Sequence, residues 1–132
     1  MRDLYANKVT YKKGDIIAVE GEKSTECFVL ISGWVGIFKN NVKLDDYNIP
    51  GSVFGEISMM LHKNRTAHII ALSDCEILKL KGDLEDIIRG YPNVAKKILI
   101  SLAEKLRKTT ENFTIILDEE IQKEFEGLNE NL

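Results

Sequence analysis

Two hydrophobic periods divide this chain, and the change from one to the other falls at Lys81. Before that point apolar residues come in short runs, each closed by glycine or by small polar residues. Ile16-Ile17-Ala18-Val19 follows the turn signal Gly14-Asp15, and Cys27-Phe28-Val29-Leu30-Ile31 follows Glu20-Gly21-Glu22. Ser32-Gly33 separates that run from Trp34 to Phe38, and Asn40-Asn41 marks a hairpin tip before a strand over Val42 to Tyr47. His68 to Leu72 and Glu76 to Leu80 form two more strands, joined at Ser73-Asp74. Leu4, Val9 and Tyr11 supply a lead-in turn and an edge strand. Strands rich in β-branched residues, recurring about every 8–12 positions between turn signals, predict a mainly β sandwich or barrel. No alternation with long helices points to a parallel α/β sheet.

Past Lys81 the period becomes helical. Gly82-Asp83 starts a helix carrying Leu84, Ile87 and Ile88, and Gly90 ends it. Pro92 suits the first turn of the next helix, where its missing N–H costs nothing. From there Val94, Ile98, Leu102, Leu106, Thr109, Phe113 and Ile116 recur at three and four residues, with Leu99 and Ala103 widening the stripe. Asp118-Glu119 is expected to end this helix, and Gly127 to break any remaining turn. The expected layout is a single domain over 1–132: a β-roll over about 9–80, C-terminal helices over about 83–117 and an acidic tail over about 118–132.

Charge narrows the function. The net charge is −3, and residues 118–132 hold six acids against one lysine. A body so weakly charged, followed by acid, is poorly suited to gripping nucleic acid. No apolar run approaches the roughly 18 residues of a membrane span, and MRDLYANK lacks the apolar core of a signal peptide. A cytoplasmic protein without membrane attachment is expected. Cys27 and Cys75 fit no CxxC pattern and read as buried thiols in a reducing compartment. His62 and His68 have no cysteine or third histidine nearby, so no metal site and no haem or iron–sulfur site is expected. No HxH-type cluster and no partner acid or nucleophile for Glu56 is evident, so the chain is not expected to be an enzyme.

One stretch does carry chemistry: Ile49 to Ala67, IPGSVFGEISMMLHKNRTA. Gly55 lets the backbone turn tightly and come close to a ligand. Ile57 to Leu61 form a short helix whose first N–H groups lack partners and favour an anion. Arg65 offers a two-pronged guanidinium to a phosphate, and Thr66 adds a hydroxyl beside it. Glu56 would repel a phosphate, so it is expected to face away and accept hydrogen bonds from sugar hydroxyls. The stretch is thus a cradle for a phosphate and a ribose.

PGSVFGEISMM, then RTA with Arg65 nine residues after Glu56, resembles the phosphate-binding cassette of cyclic nucleotide-binding domains. That family includes the catabolite activator protein and the regulatory subunits of cAMP-dependent protein kinase. GDIIAVEGEKSTECFVLISGWVGIF resembles its opening strands, with Gly14, Gly21 and Gly33 in place, and the helix from Pro92 resembles its C-helix. The likeness covers roughly residues 9 to 117. It implies an eight-stranded antiparallel jelly roll (a double-stranded β-helix) with terminal helices. It also implies that Gly55 and Glu56 hold the ribose, Glu56 through the 2′-OH. Arg65 takes the phosphate, with backbone N–H groups from Ile57 and Ser58 and a contribution from Thr66. KLRKTTEN makes Thr109 and Thr110 candidates for base contacts, across a dimer of the long helix. Two positions depart from the pattern: His62 and Asn64 stand where the family often has glycine and proline.

The expectation is therefore a non-catalytic regulator in signal transduction. It would bind cAMP or cGMP, need no other cofactor, form a homodimer through its C-terminal helix and act on an unknown effector. Only about 15 residues follow Leu117, too few for a helix-turn-helix, so a stand-alone module that does not bind DNA is expected. The competing reading is a protein-interaction or dimerisation module with an empty or repurposed pocket.

Overall fold

A computed structural model describes residues 5–130; the side chains of residues 5, 112–118 and 128–130 are outside that description. Eight strands precede the helical region: β1 (Tyr5–Tyr11), β2 (Ile16–Ala18), β3 (Glu26–Ser32), β4 (Val35–Lys39), β5 (Val42–Tyr47), β6 (Val53–Phe54), β7 (His68–Ala71) and β8 (Cys75–Lys81). They form two four-stranded sheets, ordered β1-β8-β3-β6 and β2-β7-β4-β5, with every pairing antiparallel. The spacing of strands and turns predicts a mainly β sandwich or barrel, and the observed form is the antiparallel jelly roll that the resemblance implies. Its core draws on both sheets: Phe28, Leu30, Phe54 and Ile77 from one, Ile17, Val35, Ile69 and Ala71 from the other. Strands β3 and β8 are central in their sheet; β3 reads as a nearly continuous apolar run, whereas β8 sets Glu76, Lys79 and Lys81 among its buried Cys75, Ile77 and Leu80.

The glycine and asparagine signals have conformational content. Asn40 and Asn41 sit at φ 52° and 64°, the left-handed pair that a two-residue hairpin between β4 and β5 requires. Strand β6 is only two residues long and gives no periodic signal; the sequence assigned it to the cradle. It pairs with β3 through Phe28 opposite Phe54 and so fastens the cradle to the sheet.

Three helices complete the fold: α1 (Glu56–Met60), α2 (Leu84–Gly90) and α3 (Pro92–Glu130). Helix α1 begins one residue earlier than Ile57 because Gly55, in a left-handed conformation, occupies its N-cap. Helix α2 starts on a capping box: the Asp83 carboxylate accepts the Asp86 N–H at 2.8 Å, and the Asp83 N–H returns to Asp86. Helix α3 departs from expectation. It runs through Asp118, Glu119 and Gly127 to Glu130, so the segment expected to be an acidic tail is helical. Acids near a helix end cost only a few tenths of a kcal/mol to about 1 kcal/mol, and one glycine about 1 kcal/mol. Neither stops a long helix, and Gln122 bonds Glu126 one turn on.

The chain divides into two units, Met1–Ile98 and Leu99–Leu132. Within the first, Ile87, Ala95 and Ile98 are buried. Within the second, Leu99, Leu106, Ile121 and Phe125 are all more than 60% exposed. The expected stripe residues Phe113 and Ile116 have side chains outside the described residues, as does all of Leu4.

Candidate functional site

Arg65 is held by backbone before its side chain does anything. Its N–H donates to Glu22 O and its carbonyl accepts from Gly21 N, both at 2.8 Å, so the segment after Glu20 fixes it just ahead of β7. The side chain is buried, with 6% of its surface exposed. Nη1 donates to Gly55 O at 2.7 Å, and Nη2 donates to Glu26 O on β3. The guanidinium carbon lies 5.1 Å from the centre of the Phe28 ring, within cation–π range. Burial lowers the guanidinium's pKa, while the nearby charges of Glu26, Cys27, Glu22 and Glu56 oppose that shift.

Gly55 packs closely against the Arg65 side chain and the Phe28 ring. Its φ is +74°, and a Cβ there would lie 2.8 Å from Arg65 Nη1 and 2.8 and 2.9 Å from two Phe28 ring carbons. Glycine is thus needed twice, for the turn and for the close approach. Glu56 follows as the first residue of α1 and is fully buried. Its charge acts on several neighbours. The Cys27 thiol is pushed up to about 12, chiefly by burial and next by Glu56. Tyr47 is also raised, by burial first and then by Asp45. Under the cradle, Phe28, Phe54 and Tyr47 stack in sequence, with centroids 5.2 and 5.7 Å apart.

Among the residues expected to bind ligand, Gly55, Glu56 and Arg65 converge. Ile57 (exposed) and Ser58 (half-buried) stand in the first turn of α1, where N–H groups have no intrahelical acceptor. Thr66 is exposed beside Arg65. Thr109 and Thr110 belong to the second unit, and their hydroxyls donate back to Lys105 O and Leu106 O at 2.9 Å. Two contributors escaped the sequence: the Glu26 carbonyl and the Phe28 ring. A carbonyl leaves no mark in a sequence, and Phe28 reads there as an ordinary core residue. His62 adopts φ 53°, so it keeps the left-handed conformation that a glycine would take.

Both cysteines are buried and free, as expected. His68 Nδ1 accepts the Glu20 N–H at 3.1 Å. Among the described residues no helix is long and apolar enough to cross a membrane.

Comparison with known proteins agrees with this geometry. The family profile described as cyclic nucleotide-binding domain matches residues 8–91. The chain is 28% identical over 121 residues to the cyclic AMP receptor protein of Thermus thermophilus, covering 88% of this chain and 56% of that protein. It is 33% identical over 91 residues to a cAMP-dependent protein kinase regulatory subunit of Aspergillus niger, covering 61% of this chain and 22% of the subunit. The crystal structure of the Thermus thermophilus catabolite activator protein superposes with a TM-score of 0.70 at 28% identity, over 84% of this chain and 55% of that one. The chain thus spans only about half, or less, of the length of these relatives. The matched span runs from β1 past the end of α2 and takes in the whole arrangement of Gly55, Glu56 and Arg65, and this chain belongs to the cyclic nucleotide-binding domain family.

Proposed function

We propose that this protein is a non-catalytic sensor of a cyclic nucleotide, cAMP or cGMP. The observation that carries the reading is the buried Arg65, oriented by two carbonyls and a ring beside Gly55 and Glu56. A guanidinium has five N–H donors, and two are used in this frame, so three remain for a cyclic phosphate. The N–H groups of Ile57 and Ser58 and the Thr66 hydroxyl complete the phosphate site. Glu56 accepts from the ribose 2′-OH, with Gly55 allowing the sugar to approach. Thr109 and Thr110 are the candidates for the base.

Output passes through the long C-terminal helix to an effector protein. A ligand shifts that helix only by binding one of its positions better than another. The exposed Leu99, Leu106, Ile121 and Phe125 favour a homodimer through the same helix, which sedimentation analysis with and without nucleotide tests directly.

Isothermal titration of the folded protein with cAMP and cGMP decides the central claim. Saturable heat with either supports it, and no heat with both rejects it. Arg65→Ala removes the charge and both guanidinium bonds, and is expected to weaken binding about 100-fold or more. Unchanged affinity would mean that the phosphate sits elsewhere.

A further inference from the structure

A second concavity lies at the other end of α1, and neither Gly55, Glu56 nor Arg65 lines it. It measures about 270 Å³ and forms where three distant segments meet. Lys23, Ser24 and Thr25 come from the loop before β3, Met59 and His62 from the end of α1 and the turn after it, and Lys81 to Asp83 from the junction of β8 and α2. Met59 is buried.

Three features make this more than a gap. Ser24 is 6% exposed, and its hydroxyl has no hydrogen-bond partner among the described residues. Buried hydroxyls are nearly always paired, because an orphan forfeits its bond to water. Two exposed lysines, Lys23 and Lys81, belong to the lining, and neither ammonium pairs with a carboxylate among the described residues. The single acid of the lining, Asp83, accepts the Asp86 N–H through one oxygen at the start of α2, so its charge is turned in part to the cap. His62 adds a third nitrogen-bearing side chain, carried on a left-handed backbone. Two lysines thus stand against one acid in the lining, with a buried hydroxyl beside them.

We propose that this cleft is a second anion site, for a small, multiply charged phosphate such as pyrophosphate or a compact phosphate monoester. Lys23 and Lys81 supply the charge, and the Ser24 hydroxyl supplies a hydrogen bond. The volume lies just below that of usual small-molecule pockets, so the ligand is smaller than a nucleotide. The Arg65 cradle and this cleft then bind separately.

Titrating the full-length protein with inorganic pyrophosphate, followed by backbone amide NMR, tests this. Saturable shifts are expected at Lys23, Ser24, Thr25 and Gly82. The Lys23→Ala/Lys81→Ala double variant should weaken binding about tenfold or more. Ser24→Ala should weaken it severalfold without lowering the denaturation midpoint. A Lys12→Ala/Lys13→Ala control, altering two exposed lysines elsewhere, should bind like the parent protein. Shifts confined to Gly55 through Arg65, no saturation, or equal loss in the control would each overturn the proposal.

Discussion

Replacing Gly55 by alanine tests the cradle at its tightest point. The substitution adds one methyl group to a residue at φ +74°, where it would meet Arg65 Nη1 at 2.8 Å and the Phe28 ring at 2.8 and 2.9 Å. The left-handed backbone alone costs an L-residue about 1–2 kcal/mol. Overpacking adds about 1–3 kcal/mol. Phe28 is fully buried and stacked on Phe54, and Arg65 is pinned by two carbonyls, so neither can retreat cheaply. The expected total is about 2–5 kcal/mol of lost stability. Gly21→Ala separates the two causes, because Gly21 has φ +89° but nothing within 4 Å of its Cβ position, so only the backbone share of about 1–2 kcal/mol is expected. Gly127→Ala, in open space inside α3, should instead gain about 1 kcal/mol. Urea denaturation followed by the fluorescence of Trp34, the single tryptophan, measures all three. If Gly55→Ala costs no more than Gly21→Ala, the contact argument fails, and the cradle is looser than its geometry implies.

Two further predictions concern the surroundings of the site. The Cys27 thiol rises from 9.0 to about 12 in the folded protein, so the folded state holds this proton more tightly than the unfolded chain. The resulting stability is fully present below about pH 9 and should be lost by about 1.4 kcal/mol per pH unit as pH rises from about 9 toward 12; Cys27→Ala should flatten that slope in alkaline denaturation series. His62→Gly relieves a non-glycine residue at φ 53°, and after the entropic cost of glycine it should gain about 0.5–1 kcal/mol by urea denaturation.

The parts of the fold legible in the sequence are those with a repeating physical signature. Strands β3, β4, β5, β7 and β8 all fall within a residue or so of their expected bounds, because β-branched and aromatic runs end abruptly at turn residues. The short β6 has no period to read. The end of α3 was misplaced because acids and a glycine are penalties rather than stop signals, and accumulated helical hydrogen bonds outweigh them. Within the site, Gly55, Glu56 and Arg65 were visible by type and spacing. The carbonyls of Gly55 and Glu26 that orient Arg65 were not, since every residue carries one. The second cleft was equally hidden, because the segments that line it stand far apart in the chain.

How the cradle keeps a cation ready in a buried place follows from the kind of acceptor that holds it. Burial works against the charge of Arg65, and the fields of Glu26, Glu22 and Glu56 work to preserve it. The two bonds that set its orientation end on carbonyls, which carry dipoles but no net charge. They therefore fix the guanidinium plane without neutralising it, and the Phe28 face supports it from one side. A single negative charge arriving 4 Å away at an effective dielectric of about 20 gains about 4 kcal/mol. Little of that gain is spent on ordering the arginine, because its rotamer is already set. The same frame answers the difficulty of a carboxylate beside the proposed anion site. Glu56 is fully buried at the start of α1, where the helix end favours negative charge, and its field supports the cation that attracts the anion. A lysine at position 65 would keep the charge and lose the frame, because one ammonium on a flexible stem cannot hold two carbonyls and still present a planar, two-pronged edge.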